Sequence, residues 1–253
     1  MTVTPVMFLI VCPLLFLAGL VDSIGGGGGL ISLPAYLIAG LPVHSAIATN
    51  KLSSACGTSL ATARFIRKGL VNLRLALPSV AAAILGSSLG AKLSLSVSET
   101  VMKYILLGVL PVAAFFVLNR KWFRDDGKHT ATTDRRTLIV CILSAFVIGM
   151  YDGFYGPGTG TFLIIAFTVF ARMTVGSANA QAKVINLTSN ITSLTVFLLN
   201  GQVLIPLGLA AAVCNMAGNW VGSGLAISKG TKIVRPVILL VLLLLLAKII
   251  FNF

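Results

Sequence analysis

Predominantly apolar runs of 18 or more residues recur along this chain, and that one feature leaves few folds open. A run of this length spans the ~30 Å hydrocarbon layer of a bilayer as a helix. The plainest case is 236–253, in which every residue from 239 to 246 is leucine except Val241 and Lys248 is the only charge. A soluble domain of 253 residues needs a polar shell, and here 57% of residues are hydrophobic and 10% charged. The mean hydropathy is +1.01. The expected class is an all-α integral membrane protein.

The net charge of +13 does not make this a nucleic-acid-binding chain, because the cations are not spread over a face. They cluster between apolar runs, at Arg64, Arg67, Lys68 and Arg74 and through 120–136, as cytoplasmic loops of membrane proteins do. Cys12, Cys56, Cys141 and Cys214 fall one each in apolar segments, with no CxxC or Cys/His spacing, so neither a disulfide framework nor a zinc site is expected. No cofactor is called for. His44 and His129 are the only histidines, and no nucleophile–base set is visible, so no enzyme is expected. The N-terminal stretch lacks a basic start and a small-residue cleavage site before Asp22, and reads as a first span rather than a signal peptide.

An internal repeat organises the rest. Gly19-Leu20-Val21-Asp22 matches Gly149-Met150-Tyr151-Asp152 at an offset of 130, each followed by a glycine-rich break. At an offset of 132, residues 43–51 match 175–183 with five of nine identical, ending on Lys51 and Lys183. The same register pairs Phe65 with Phe197, Gly69 with Gly201, Val71 with Val203, Gly86 with Gly218 and Gly90 with Gly222. The chain thus divides into a first repeat (1–119), a cytoplasmic linker (120–136) and a second repeat (137–253). Each repeat holds five apolar segments: 3–22, 28–41, 44–66, 70–95 and 98–119, then 137–153, 158–172, 174–199, 202–226 and 231–251. The second segment of each is short and opens on glycines. If all five cross, the basic clusters at 64–74, 120–136, Arg172 and 229–235 share one side, leaving Lys92, Lys103 and Lys248 near the other. If the short segments do not cross, Arg172 and 229–235 land opposite the linker, against the positive-inside bias. About ten transmembrane segments in two inverted repeats are therefore expected, with both termini outside, a recurring plan of secondary transporters.

Six acids occur, and Asp22 and Asp152 alone are expected near membrane depth. An intramembrane carboxylate is costly and marks function, here as a candidate proton carrier; the competing reading is a helix cap. The breaks at Gly26, Gly27 and Gly28 and at Gly156 and Gly158 permit close backbone approach. The helix N-termini that follow present free amides suited to an anion. Lys51 and Lys183 lie about eight residues into their segments, among Asn50 on one side and Asn186 and Asn190 on the other. They read as anion ligands, with snorkelling to the interface as the alternative. Gly86 with Gly90 and Gly218 with Gly222 read as helix-packing faces.

The stretch Asp22-Ser-Ile-Gly-Gly-Gly-Gly-Gly-Leu-Ile-Ser-Leu-Pro34, then Gly40-Leu-Pro42 and Ala48-Thr-Asn-Lys51-Leu, resembles the first repeat of the TauE/SafE sulfite exporter family. The resemblance extends over the whole chain. In the second repeat the family's Gly-Thr-Ser-Lys type of stretch is Ala180-Gln-Ala-Lys183 here, followed by Asn186, so the lysine and asparagine survive without the hydroxyl neighbours. The resemblance implies export of sulfite or a small organosulfonate such as sulfoacetate. The mechanism expected is alternating access in a bacterial inner membrane, with proton coupling through the aspartates. A passive anion channel would use the same lining. The partners expected are a small inorganic or organic anion and membrane lipid, with a homodimer among the open oligomeric states.

Overall fold

The structure, a computed structural model, describes residues 3–98, 100–101, 134–230, 232–234, 236–240 and 243. The fifth segments expected at 98–119 and 231–251 fall largely outside the described residues, as does most of the linker. Among the described residues the regular structure is α-helical: α1 (Pro5–Gly25), α2 (Gly29–Ile38), α3 (Val43–Arg67), α4 (Leu73–Ser96), α5 (Arg135–Phe154), α6 (Thr159–Val169), α7 (Val175–Leu199) and α8 (Ile205–Lys229).

Local chemistry sets the ends. Pro5 opens α1, where a missing amide costs nothing. The Asp134 carboxylate accepts the Thr137 amide at 3.1 Å and caps α5, and its hydrogen bonds to Thr137 hold it below the usual carboxylate range. Thr174 caps α7 through Ser177. Arg64 and Arg67 sit in the last turn of α3, against the negative end of its dipole.

Four helices are long and apolar enough to cross a membrane: α1, α4, α5 and α7. α3 and α8 are as long, 25 residues each, and both turn polar residues inward. Thr49, Lys51, Ser53, Thr58 and Thr62 of α3 and Asn215, Asn219 and Ser223 of α8 are buried, while Ile66, Leu209, Val213 and Trp220 face outward. α2 and α6 are shorter than their segments, with 10 and 11 residues. At 1.5 Å per residue each rises roughly 15–17 Å, about half the hydrocarbon thickness.

The paired glycines bring helices of opposite repeats into contact. A Cβ at Gly86 would strike the Phe146 carbonyl and one at Gly90 the Met150 carbonyl, so α4 lies on α5. Equivalently, Gly218 meets Phe16 and Gly222 meets Leu20, so α8 lies on α1. Numbers rise together along both contacts, so each pair is parallel. α3 and α8 are parallel as well: Gly208 meets Leu52, Gly57 meets Asn215, and Arg64 meets Gly224. α3 and α7 run antiparallel. Thr62 near the end of α3 donates to Lys183 near the start of α7, while the Leu204 amide, just beyond α7, donates to Thr49 near the start of α3 at 3.0 Å.

Candidate functional site

The two glycine breaks cross at the centre of the molecule. Gly26 ends α1 with φ +80°, returning its amide to the Asp22 carbonyl at 2.7 Å. Its Cα faces the backbone of Gly160, where a Cβ on either glycine would overlap the backbone of the other. Gly29 faces Pro157 in the same way. Gly158 opens α6 in the left-handed region, φ +87°. Side chains close the remaining backbone valences: Thr161 donates to the Gly25 carbonyl at 2.6 Å, and the Asn179 amide to the Ser23 and Ile24 carbonyls at 3.2 and 3.1 Å. Irregular backbone at this depth is thereby buried in protein, as lipid requires.

The lysines and aspartates pair across the repeats. Lys51 Nζ of α3 lies 2.9 Å from Asp152 Oδ2 of α5, and Lys183 Nζ of α7 lies 2.7 Å from Asp22 Oδ2 of α1. Ser189 adds a 2.5 Å hydrogen bond to Asp152 Oδ2. Lys51 and Lys183 are 2% and 0% exposed, so neither snorkels. Neither α2 nor α6 has a side-chain cap, so the aspartates do not cap the broken segments. α1 continues three residues beyond the expected end at 22, which places Asp22 within its last turn facing α7. In the fold the four groups form two neutral pairs, because a buried lone charge costs several kcal/mol and a paired one far less.

One polar cavity adjoins both pairs. Its wall includes Asp22, Gly26 and Gly28, Asn50 and Lys51, Asp152 and Gly156, and Asn186 and Asn190. Of the residues singled out from sequence, Gly27, Gly158 and Lys183 are not on that wall: Gly27 and Gly158 shape the breaks, and Lys183 bonds Asp22. Ser54, Thr159, Gly160 and Asn215 also line it. Of these, Asn215 was legible as a polar residue in an apolar segment. Thr159 and Gly160 stand in the second break and carried no signal of their own. The Gly156 break lies so near that a Cβ there would sit 3.0 Å from Asp152 Oδ1 and 3.1 Å from Lys51 Nζ. The volume open to the centre of a water-sized sphere is about 20 Å³, above the roughly 10–15 Å³ that admits one water. Among the described residues no cluster of three or more His, Cys, Asp or Glu side chains could hold a metal.

Residues 11–249 match the family described as "Sulfite exporter TauE/SafE". The chain is 38% identical over 226 residues to a "Probable membrane transporter protein ORF9" of a Sinorhizobium species, covering 89% of this chain and 85% of that one. It is 35% identical over 251 residues to the "Probable membrane transporter protein YfcA" of Escherichia coli K12, covering 99% and 92%. It is 34% identical over 238 residues to a "Probable membrane transporter protein" of Haemophilus influenzae, covering 94% and 92%. No solved structure matches.

Proposed function

The chain belongs to the TauE/SafE sulfite exporter family, and from that membership we propose that it is a proton-coupled secondary transporter that exports a small sulfur oxyanion such as sulfite across a bacterial inner membrane by alternating access. The observation that carries the reading is the pair of buried Lys–Asp bridges beside one polar cavity. Lys51 needs only one ammonium proton for Asp152, leaving two donors for an anion. Asn50, Asn186 and Asn190 add neutral donors that orient the anion without trapping it.

Charge balance supplies the coupling. Lys51, Lys183, Asp22 and Asp152 sum to zero, so a monoanion entering alone leaves an uncompensated charge in a site of low dielectric. One proton on an aspartate restores neutrality. Anion and proton then occupy the site together and cross as a neutral pair, so export runs when the outward sulfite gradient exceeds the opposing proton gradient.

The helix directions support the inverted ten-segment plan. α1 and α3 both run parallel to α8, so residues 26–42 must return across the layer between them. α2 supplies about half of that depth, and the break and the 39–42 connection supply the rest. α3 and α7 are repeat mates and run opposite ways, as inverted repeats do. The cations agree: Arg64, Arg67, Lys68, Arg74, Arg135, Arg136, Arg172, Lys229 and Lys232 gather at one end of the described helices and only Lys92 at the other. That end is placed in the cytoplasm, and both termini outside.

The test is reconstitution in proteoliposomes with internal sulfite. A transporter of this kind moves sulfite against its gradient when a proton gradient is imposed and acidifies or alkalinises the lumen in step. Sulfite flux that only dissipates its own gradient and moves no protons makes the protein a channel.

A further inference from the structure

The two ion pairs occupy equivalent places in the repeats, yet they are not equivalent in chemistry. Asp152 accepts from both Lys51 and Ser189 on the same oxygen, at 2.9 and 2.5 Å, and its side chain is 3% exposed. Asp22 accepts from Lys183 at 2.7 Å and its side chain is 15% exposed, on the cavity wall. The repeat mate of Ser189 is Gly57 at the offset of 132, and there a Cβ would overlap Asn215 Oδ1. Glycine at 57 carries no hydroxyl, so the first repeat has no counterpart of the Ser189 bond to Asp152.

We infer that Asp22 alone carries the coupling proton, and that Ser189 is a positioning residue that keeps Asp152 a permanent carboxylate bound to Lys51. The inference rests on the proton-coupled reading above and assigns the labour within it. A hydroxyl donating to an ionised oxygen stabilises the charged form, and each such bond must be broken or reversed before the oxygen can be protonated. Asp152 has two donors to lose and little access to water. Among the described residues Asp22 has one donor, and it faces the cavity that the anion enters. The charged or titratable groups near Asp22 are Lys183 from α7, Lys51 from α3 and Asp152 from α5; α2, α6 and α8 contribute glycines, Thr159 and Asn215 to the same wall. When Asp22 takes the proton, the carboxyl becomes a neutral donor aimed at the cavity. The charge of Lys183 behind it is then uncompensated, and the site carries one net positive charge for one anion.

The experiment is proton uptake on sulfite binding by the purified full chain in detergent, read by a pH indicator at low buffering alongside calorimetric binding. At a pH where the free ligand is wholly the hydrogensulfite monoanion, so that the ligand itself exchanges no proton, wild type takes up about one proton for each anion bound. Asp22→Asn takes up close to none, at sulfite concentrations raised to saturate it. Should the lone Lys183 charge stop that variant folding, Asp22→Asn with Lys183→Gln removes both charges and must likewise take up none. Ser189→Gly removes the second donor from Asp152 and adds a second step to the pH profile of uptake, as the proton is shared between Asp22 and Asp152. Uptake of about one proton by the Asp22 variants, or a Ser189→Gly pH profile identical to wild type, overturns the inference while leaving coupling intact. A wild type that takes up no proton overturns coupling itself, and this inference with it.

Discussion

The Lys51 ammonium lies 2.9 Å from the Asp152 carboxylate, so an essential-looking cation of the first repeat is neutralised by an acid of the second. Lys183 and Asp22 repeat the arrangement with the repeats exchanged. The site belongs to neither half alone, and whatever moves one half against the other also strains its ion pairs. On the proposed function this links helix motion to coupling, because opening the Lys183–Asp22 bridge frees that carboxylate for a proton.

Removing one partner of such a pair leaves a buried charge. Lys51→Ala is expected to lose sulfite binding and to destabilise the protein by about 3–5 kcal/mol. Lys51→Met with Asp152→Leu removes both charges and recovers most of the stability, still without binding. Thermal unfolding in detergent with and without sulfite separates the two effects. A single variant as stable as wild type is incompatible with a formed bridge.

The helix directions make a topological prediction. Lys68 follows α3 and Gly201 follows its antiparallel mate α7. Lys68→Cys and Gly201→Cys in a chain otherwise free of cysteine are expected to react with an impermeant maleimide from opposite sides, Lys68 from the cytoplasm. Labelling of both from one side removes the inverted arrangement.

The membrane class, the repeat and the candidate residues were legible because they are written in composition and spacing, which survive without coordinates. Asp22, Asp152, Lys51 and Lys183 stand out in sequence because a charge in an apolar run needs a reason. Their pairing was not legible. Each repeat shows its acid about thirty residues before its lysine, which suggests a local partner, and only the crossing of the breaks at Gly26 and Gly160 brings the acid of one repeat to the lysine of the other. The helices α2 and α6 fill only part of the apolar segments 28–41 and 158–172 for a related reason. Apolar residues continue beyond Ile38 and Val169, but Gly40 takes φ +89° and Arg172 φ +53°, and a periodicity argument does not see the turn. Ser189 was visible only as one polar residue among several on α7; its role depends on Gly57 being its mate.

The packing glycines divide by their surroundings. Gly86→Leu and Gly218→Leu are expected to push α4 from α5 and α8 from α1, with a loss of stability of at least ~1–3 kcal/mol, the range for overpacking. Gly176, in the first turn of α7, has nothing within 4 Å of a Cβ. Gly176→Ala is therefore expected to be neutral or to stabilise by up to ~1 kcal/mol, the difference in helix propensity. Melting temperatures of the three variants in one detergent test the contrast, and equal losses at all three positions contradict it.

The crossing of the breaks makes two separate demands at Gly26, and three alanine variants divide them. Gly26 has φ +80°, and its missing Cβ leaves room for the Gly160 backbone. Gly40 has φ +89° with open space around it, so Gly40→Ala isolates conformational strain, expected at ~1–2 kcal/mol of stability with sulfite binding retained. Gly160 lies in the first turn of α6 without a positive φ, so Gly160→Ala isolates the clash: its Cβ would sit 2.5 Å from the Gly26 Cα, and neither backbone can yield without moving the end of α1. Because Asp22 rides on that end and holds Lys183 of α7, Gly160→Ala is expected to lower sulfite affinity at least tenfold as well as stability. Gly26→Ala combines both demands and is expected to fall below either single effect. Calorimetric binding and thermal unfolding on the same preparations give the comparison. If Gly160→Ala binds sulfite as wild type does, the breaks are packing elements and the anion site does not depend on their crossing.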